Sequence, residues 1–135
     1  MSLDLLLQNT ARLRAAVAGW SVGRWTAAPR PLPDLLSTST TCAGVARHLV
    51  QVLADLGADA EGRPRQAVPA LESDLGLADQ IAVMAYDIAL AEPPGELVES
   101  ALAEVLLHRA EIDGTRVSRE VLDRAAAACP VRRPH

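Results

Sequence analysis

The sequence predicts an all-α fold, a four-helix antiparallel bundle with a short fifth helix near the C-terminal end. Alanine (25 residues) and leucine (20 residues), both strong helix formers, make up a third of the 135 residues. Runs of β-branched residues, which favour strands, are rare. Proline and glycine clusters separate segments in which apolar residues recur at helical spacing. Half of the residues are hydrophobic, so we expect residues 1–135 to form a single domain around one core.

The first helix is predicted over about residues 3–27, with Ser2 as its N-cap. One apolar stripe follows the helical period: Leu3, Leu6, Leu7, Thr10, Leu13, Val17 and Trp20. Trp20 continues this stripe and is expected in the core, whereas Trp25 is expected at the end of the bundle or at an interface. Prolines 29, 31 and 33 end the helical pattern, because proline lacks the amide donor.

The second helix is predicted over about residues 42–57. The hydroxyl residues at 37–41 offer N-caps before it, and Gly57 is a natural C-terminal stop. Its buried stripe contains one histidine among aliphatic residues: Val45, His48, Leu49, Val52, Leu53 and Leu56.

Two further long helices are predicted over about residues 73–91 and 96–112, separated by the breaker Pro93-Pro94-Gly95. Ser118 caps the short fifth helix, predicted over about residues 118–128. The fifth helix is expected either to pack across one end of the bundle or to mediate a dimer. Short connections between long helices favour an antiparallel bundle.

The charge and the hydropathy pattern exclude several classes of protein. A net charge of −4 argues against a nucleic-acid binder, which would carry a basic stripe. No stretch of about 20 apolar residues exists to span a membrane, and the first 18 residues lack a signal-peptide layout. We therefore expect a cytoplasmic protein. Cys42 and Cys129 are then most simply reduced thiols, although a bridge between them stays open. Cys42 lies near a helix start, which can activate a thiol, or it is a buried inert cysteine.

One constellation of residues carries possible chemistry. Glu104 and His108 are four residues apart, so both project from one face of the fourth helix, and His48 lies in the apolar stripe of the second. Two imidazoles and a carboxylate are three ligands for a divalent metal, with a position left open for water or substrate. Alternatively, His48 is a neutral histidine at the core edge, and Glu104 pairs with His108 or a neighbour. Arg47 and Arg109 are expected at the surface or rim, because they point about 100° away from the adjacent histidines.

Two segments resemble the DinB-like superfamily, which includes mycothiol-dependent maleylpyruvate isomerases. They are TTCAGVARHLV around His48, and ALAEVLLHRAEIDG over Ala101–Gly114. The resemblance implies a metal-binding histidine at His48 and further ligands at Glu104 and His108. It also implies a four-helix bundle, often dimeric, that binds zinc or another divalent metal. We expect zinc or nickel at the site. Several members of the superfamily use a low-molecular-weight thiol as cosubstrate.

Two functional hypotheses from different classes follow. In the first, the protein is a divalent-metal-binding enzyme, a thiol-dependent transferase or isomerase acting on a small molecule. In the second, it is a non-catalytic helical bundle without metal that serves as a dimerisation or protein-interaction module.

Overall fold

The structure is a computed structural model that describes residues 2–30, 39–121 and 123. Within these residues the secondary structure is helical throughout, without a strand, which confirms the prediction of an all-α protein. The helices are α1 (Ser2–Val17), α2 (Val22–Trp25), α3 (Cys42–Glu61), α4 (Leu77–Leu90) and α5 (Gly95–Asp113). A 3₁₀ turn, Asp74–Gly76, immediately precedes α4.

The first predicted helix is interrupted after Val17. Gly19 adopts a φ of +82°, a left-handed conformation that favours glycine and ends the helix. Ser21 then caps the single turn of α2, its Oγ accepting a hydrogen bond from the amide of Arg24 at 3.2 Å. The turn between α1 and α2 brings Trp20 and Trp25 into an edge-to-face contact, with ring centroids 4.9 Å apart. Trp25 is buried, and Trp20, which was expected in the core, is only partly buried and packs against it.

The second predicted helix, α3, continues one turn beyond its expected stop. Gly57 lies inside α3 and is buried, and the left-handed terminal residue is Gly62, with a φ of +68°. Thr41 caps the start of α3 as the sequence predicts, because its Oγ1 accepts from the amide of Gly44 at 3.0 Å.

The third and fourth predicted helices correspond to α4 and α5. Ser73 caps the 3₁₀ turn that leads into α4, and α5 begins and ends within one residue of its predicted bounds. Residues 119–121 and 123 are also helical, and Ser118 Oγ accepts from the amide of Val121 at 3.3 Å. The rest of the predicted fifth helix lies outside the described residues.

Each of the four long helices packs mainly against two of the others. Helix α1 contacts α4 and α5, and α3 also contacts α4 and α5. The short connection between α4 and α5 therefore does not make them close neighbours, although helices joined by a short connection usually pack side by side.

Contacts between individual residues give the directions of these pairs. Arg14, late in α1, contacts Asp79, early in α4, so these two helices are antiparallel. His48, early in α3, contacts His108, late in α5, so this pair is antiparallel as well.

The other two neighbouring pairs are parallel. Ser2 and Glu99 are hydrogen-bonded near the starts of α1 and α5. Gly57 lies against Ile88 near the ends of α3 and α4. Residues 62–76 carry the chain from the end of α3 back to the end at which α3 begins, where Asp74, just before α4, pairs with Arg47 of α3.

The core between the long helices is aliphatic. Its fully buried members include Leu6, Leu13, Leu49, Leu53, Leu77, Ile81, Ile88 and Ile112. A second set of buried residues is polar or charged, and it lies mostly on α5. The fold therefore concentrates its buried polar groups where α5 meets α1 and α3.

Candidate functional site

His48 and His108 are in direct contact between α3 and α5. Nδ1 of His48 lies 2.9 Å from Nε2 of His108, and the rings are nearly parallel, with centroids 5.1 Å apart. His108 is 1% exposed, whereas His48 is half-buried at the edge of the interface. The two histidines that the sequence places on inward faces are therefore brought together, and one of them is open to solvent.

The hydrogen bonds fix a consistent protonation of the neutral pair. Nδ1 of His108 lies 2.6 Å from the carbonyl oxygen of Glu104, which can only accept, so Nδ1 of His108 carries the proton. Nε2 of His108 then has a lone pair and accepts from Nδ1–H of His48. The arrangement therefore presents the basic nitrogen of His108 toward α3.

The backbone carbonyl oxygen of Glu104 accepts from His108 and so orients its ring. The side chain of Glu104 lies one turn before His108 on α5 and is buried, with 6% of its surface exposed. Among residues 2–30, 39–121 and 123, no three His, Cys, Asp or Glu side chains form a group able to hold a metal ion. The three sequence-predicted ligands thus comprise a histidine pair in contact and a buried glutamate beside it.

A second buried polar cluster lies directly after His108 on α5. Arg109 is 8% exposed, and its Nη1 donates to Oδ1 of Asn9 at 2.7 Å. Its Nε donates to Oδ2 of Asp113 at 3.0 Å. The expectation that Arg109 is a surface or rim residue is wrong, because its side chain crosses to α1. Arg47, in contrast, is exposed and pairs with Asp74 at 2.8 Å.

The position of Asn9 in the sequence is a signal for this second cluster. Asn9 lies between Leu6 and Leu13, which are three residues before it and four after it, so it belongs to the inward face of α1. An amide at that position needs a buried partner, and Arg109 supplies it.

Cys42 occupies the first turn of α3 and is buried. Its Sγ lies 3.8 Å from the carbonyl oxygen of Ala28. Burial raises the pKa of the thiol above its ordinary 9.0, and this outweighs the opposing effect of the nearby Arg24 and Arg30. Of the two interpretations of Cys42, the environment favours the buried inert thiol.

Comparison of the chain with protein-family models, curated proteins and solved structures gives no match. In the described part of the chain, no helix is long and apolar enough to cross a membrane.

Proposed function

We propose that the protein is a cytoplasmic, DinB-like four-helix bundle that binds one divalent metal ion, zinc or nickel, at His48, Glu104 and His108. The observation that carries the proposal is the 2.9 Å separation of two imidazole nitrogens from different helices. Helical bundles build metal sites from side chains that project toward each other from facing helices.

The chemistry of the donor set fits such an ion. A ligating histidine typically donates its other ring N–H to a carbonyl, and His108 donates Nδ1–H to the carbonyl oxygen of Glu104. Tetrahedral zinc ligands lie about 3.3 Å apart when each bond is about 2.0–2.1 Å long. The two nitrogens would have to separate by only a few tenths of an ångström. Glu104 would supply a carboxylate oxygen from the same face of α5.

The proposed reaction rests on the sequence resemblance. A divalent ion, when bound, lowers the pKa of a coordinated water or thiol and so supplies a nucleophile near neutral pH. On this basis we propose a thiol-dependent transferase or isomerase with a small-molecule substrate. Half-buried His48 is the residue through which solvent reaches the pair. We also propose that the protein forms a homodimer.

A second candidate function has its own support. The two histidines already satisfy each other by a hydrogen bond, and no three-ligand group occurs within the described residues. These observations favour a non-catalytic bundle in which the pair is structural and the protein acts as a dimerisation or interaction module. Metal binding separates the two proposals.

The test is isothermal titration of zinc, and separately of nickel, into protein purified without a histidine tag and stripped with a chelator. We expect about one ion per chain, and His48→Gln and His108→Gln should each weaken binding at least about 100-fold, because a ligand is lost. Glu104→Gln should weaken it less than either histidine variant, since the amide oxygen remains a weak donor.

The matched control is His135→Gln, which removes the third histidine of the chain and leaves the pair intact. A stoichiometry far below one ion per chain for both metals would exclude the metal site and leave the structural interpretation of the pair. Equal weakening by His135→Gln would assign the binding to the C-terminal tail instead.

A further inference from the structure

Helix α4 carries apolar side chains on its outward face as well as its inward face. Val83, Tyr86 and Leu90 are 56%, 56% and 65% exposed. The inward face is already covered by the core, which buries Leu77, Ala78, Ile81, Ala85 and Ile88. A helix that is apolar on both sides is usually covered on both sides. The outward face therefore has the composition of an interaction surface.

The exposed residues form one seam. Asp79, Val83, Tyr86 and Leu90 follow one another at intervals of four, three and four residues, the spacing at which helices pair side by side. The spacing reads the same in both directions. The seam can therefore pair with the same seam of a second copy in the antiparallel direction. A two-fold interface requires such self-complementarity.

We propose that the outward face of α4 is the homodimer interface, formed by antiparallel pairing of α4 with α4 of a second copy. In this register each Val83 lies opposite the partner's Tyr86, and each Leu90 lies opposite the partner's Asp79. The surface is independent of the metal proposal, because no residue of the seam belongs to the His48–His108 site. It also assigns the interface to α4 rather than to the short fifth helix.

The charges on α4 select the antiparallel direction and a like partner. A parallel pairing would place Asp79 against the partner's Asp79, which is unfavourable. In the antiparallel pairing, the C-terminal end of α4 meets the end at which Arg14 is bonded to Asp79 at 2.6 Å. That C-terminal end has no basic residue of its own and is followed by Glu92. Arg14 of one copy thus compensates the helix dipole and carboxylate of the other.

The small seam limits the strength of the dimer. Three apolar side chains per copy are far from the roughly 800 Å² that each partner of a standard interface buries. The association should therefore be concentration-dependent and in the micromolar rather than the nanomolar range.

The first test is sedimentation equilibrium of the full chain in EDTA, so that metal plays no part. We expect a monomer–dimer equilibrium in which Val83→Asp raises the dissociation constant at least about tenfold. The matched control is Val22→Asp, because Val22 has the same residue type and the same 56% exposure but lies on α2. Circular dichroism checks that both variants remain helical.

The second test fixes the register. Chains with Val83→Cys and chains with Tyr86→Cys, both also carrying Cys129→Ser, are mixed and oxidised with copper phenanthroline. Disulfides between the two different chains should exceed those between identical chains. A monomer at every concentration, or a dimer that tolerates Val83→Asp, would overturn the proposal. Preferential linkage of identical chains would overturn the antiparallel register.

Discussion

Asn9 and Arg109 join α1 to α5 through a hydrogen bond of 2.7 Å between Oδ1 and Nη1, across 100 positions of sequence. The amide of Asn9 is itself oriented, because its Nδ2 donates to the carbonyl oxygen of Leu5 at 2.8 Å. Arg109 has a second partner in Asp113. A buried guanidinium is tolerated here because both partners are fixed in place.

Asn9→Ala should destabilise the protein by about 1.5–3 kcal/mol, since it removes a hydrogen bond to a buried charge and leaves that charge under-satisfied. Urea denaturation followed by circular dichroism measures the change. Arg63→Gln is the control, because the exposed Arg63–Glu61 pair should contribute less than about 1 kcal/mol. Equal effects of the two substitutions would contradict the role given to Asn9.

His108→Ala should be more damaging than His48→Ala when both are measured in EDTA. His108 is 1% exposed, so its removal leaves a cavity and costs about 2–4 kcal/mol. His48 is half-buried, and water can replace its contact, so the expected loss is about 1 kcal/mol. The measurement is the midpoint and slope of urea unfolding. A larger loss for His48→Ala would show that the burial of the pair is assigned to the wrong residue.

Gly57→Ala should stabilise the protein by about 0.5–1 kcal/mol. Gly57 lies inside α3, and a Cβ there would make an ordinary contact of 3.7 Å with Ile88. Gly62→Ala, the matched comparison, should destabilise by about 1 kcal/mol, because Gly62 has a φ of +68°. Differential scanning calorimetry should show a higher Tm for Gly57→Ala and a lower Tm for Gly62→Ala than for the unsubstituted protein. A shift in the same direction would contradict the assigned end of α3.

The thiol of Cys42 should titrate above its ordinary pKa of 9.0, because burial disfavours the thiolate. In Cys129→Ser protein, the rate of reaction with a disulfide reagent should rise with a midpoint above pH 9 in the native state and near 9 when unfolded. The same shift means that stability falls as pH rises from 9.0 toward the native pKa. A native midpoint below 9 would identify a reactive thiol.

The helical segments were predictable because alanine and leucine dominate them and proline or glycine clusters separate them. The helix ends were less predictable, because sequence does not tell which of two glycines adopts positive φ. Gly57 packs against Ile88 and stays helical, whereas Gly62 ends α3. Gly19 likewise ends α1 well before the prolines. The choice of neighbours could not be predicted, since a short connection normally joins close neighbours, whereas α4 and α5 each pack mainly against α1 and α3.

The contact between His48 and His108 could be anticipated, because both occupy apolar helical positions, where a polar side chain needs a buried partner. Their role as metal ligands remains a prediction. The same rule did not predict the burial of Arg109, because a long side chain can place its charge far from its Cα. Whether it turns outward or across to α1 depends on a partner 100 residues distant, and local spacing contains no information on such a partner.

The parallel arrangement of α1 and α5 has a consequence for the order in which the chain folds. Contacts such as Asn9 with Arg109 close a loop of 100 residues, which is entropically costly and slows folding relative to a bundle of local hairpins. During synthesis, α1 emerges before the other long helices and α5 after them. The side of α1 that carries Asn9 therefore stays uncovered until α5 has been made, and a nascent chain is most vulnerable to aggregation in that interval.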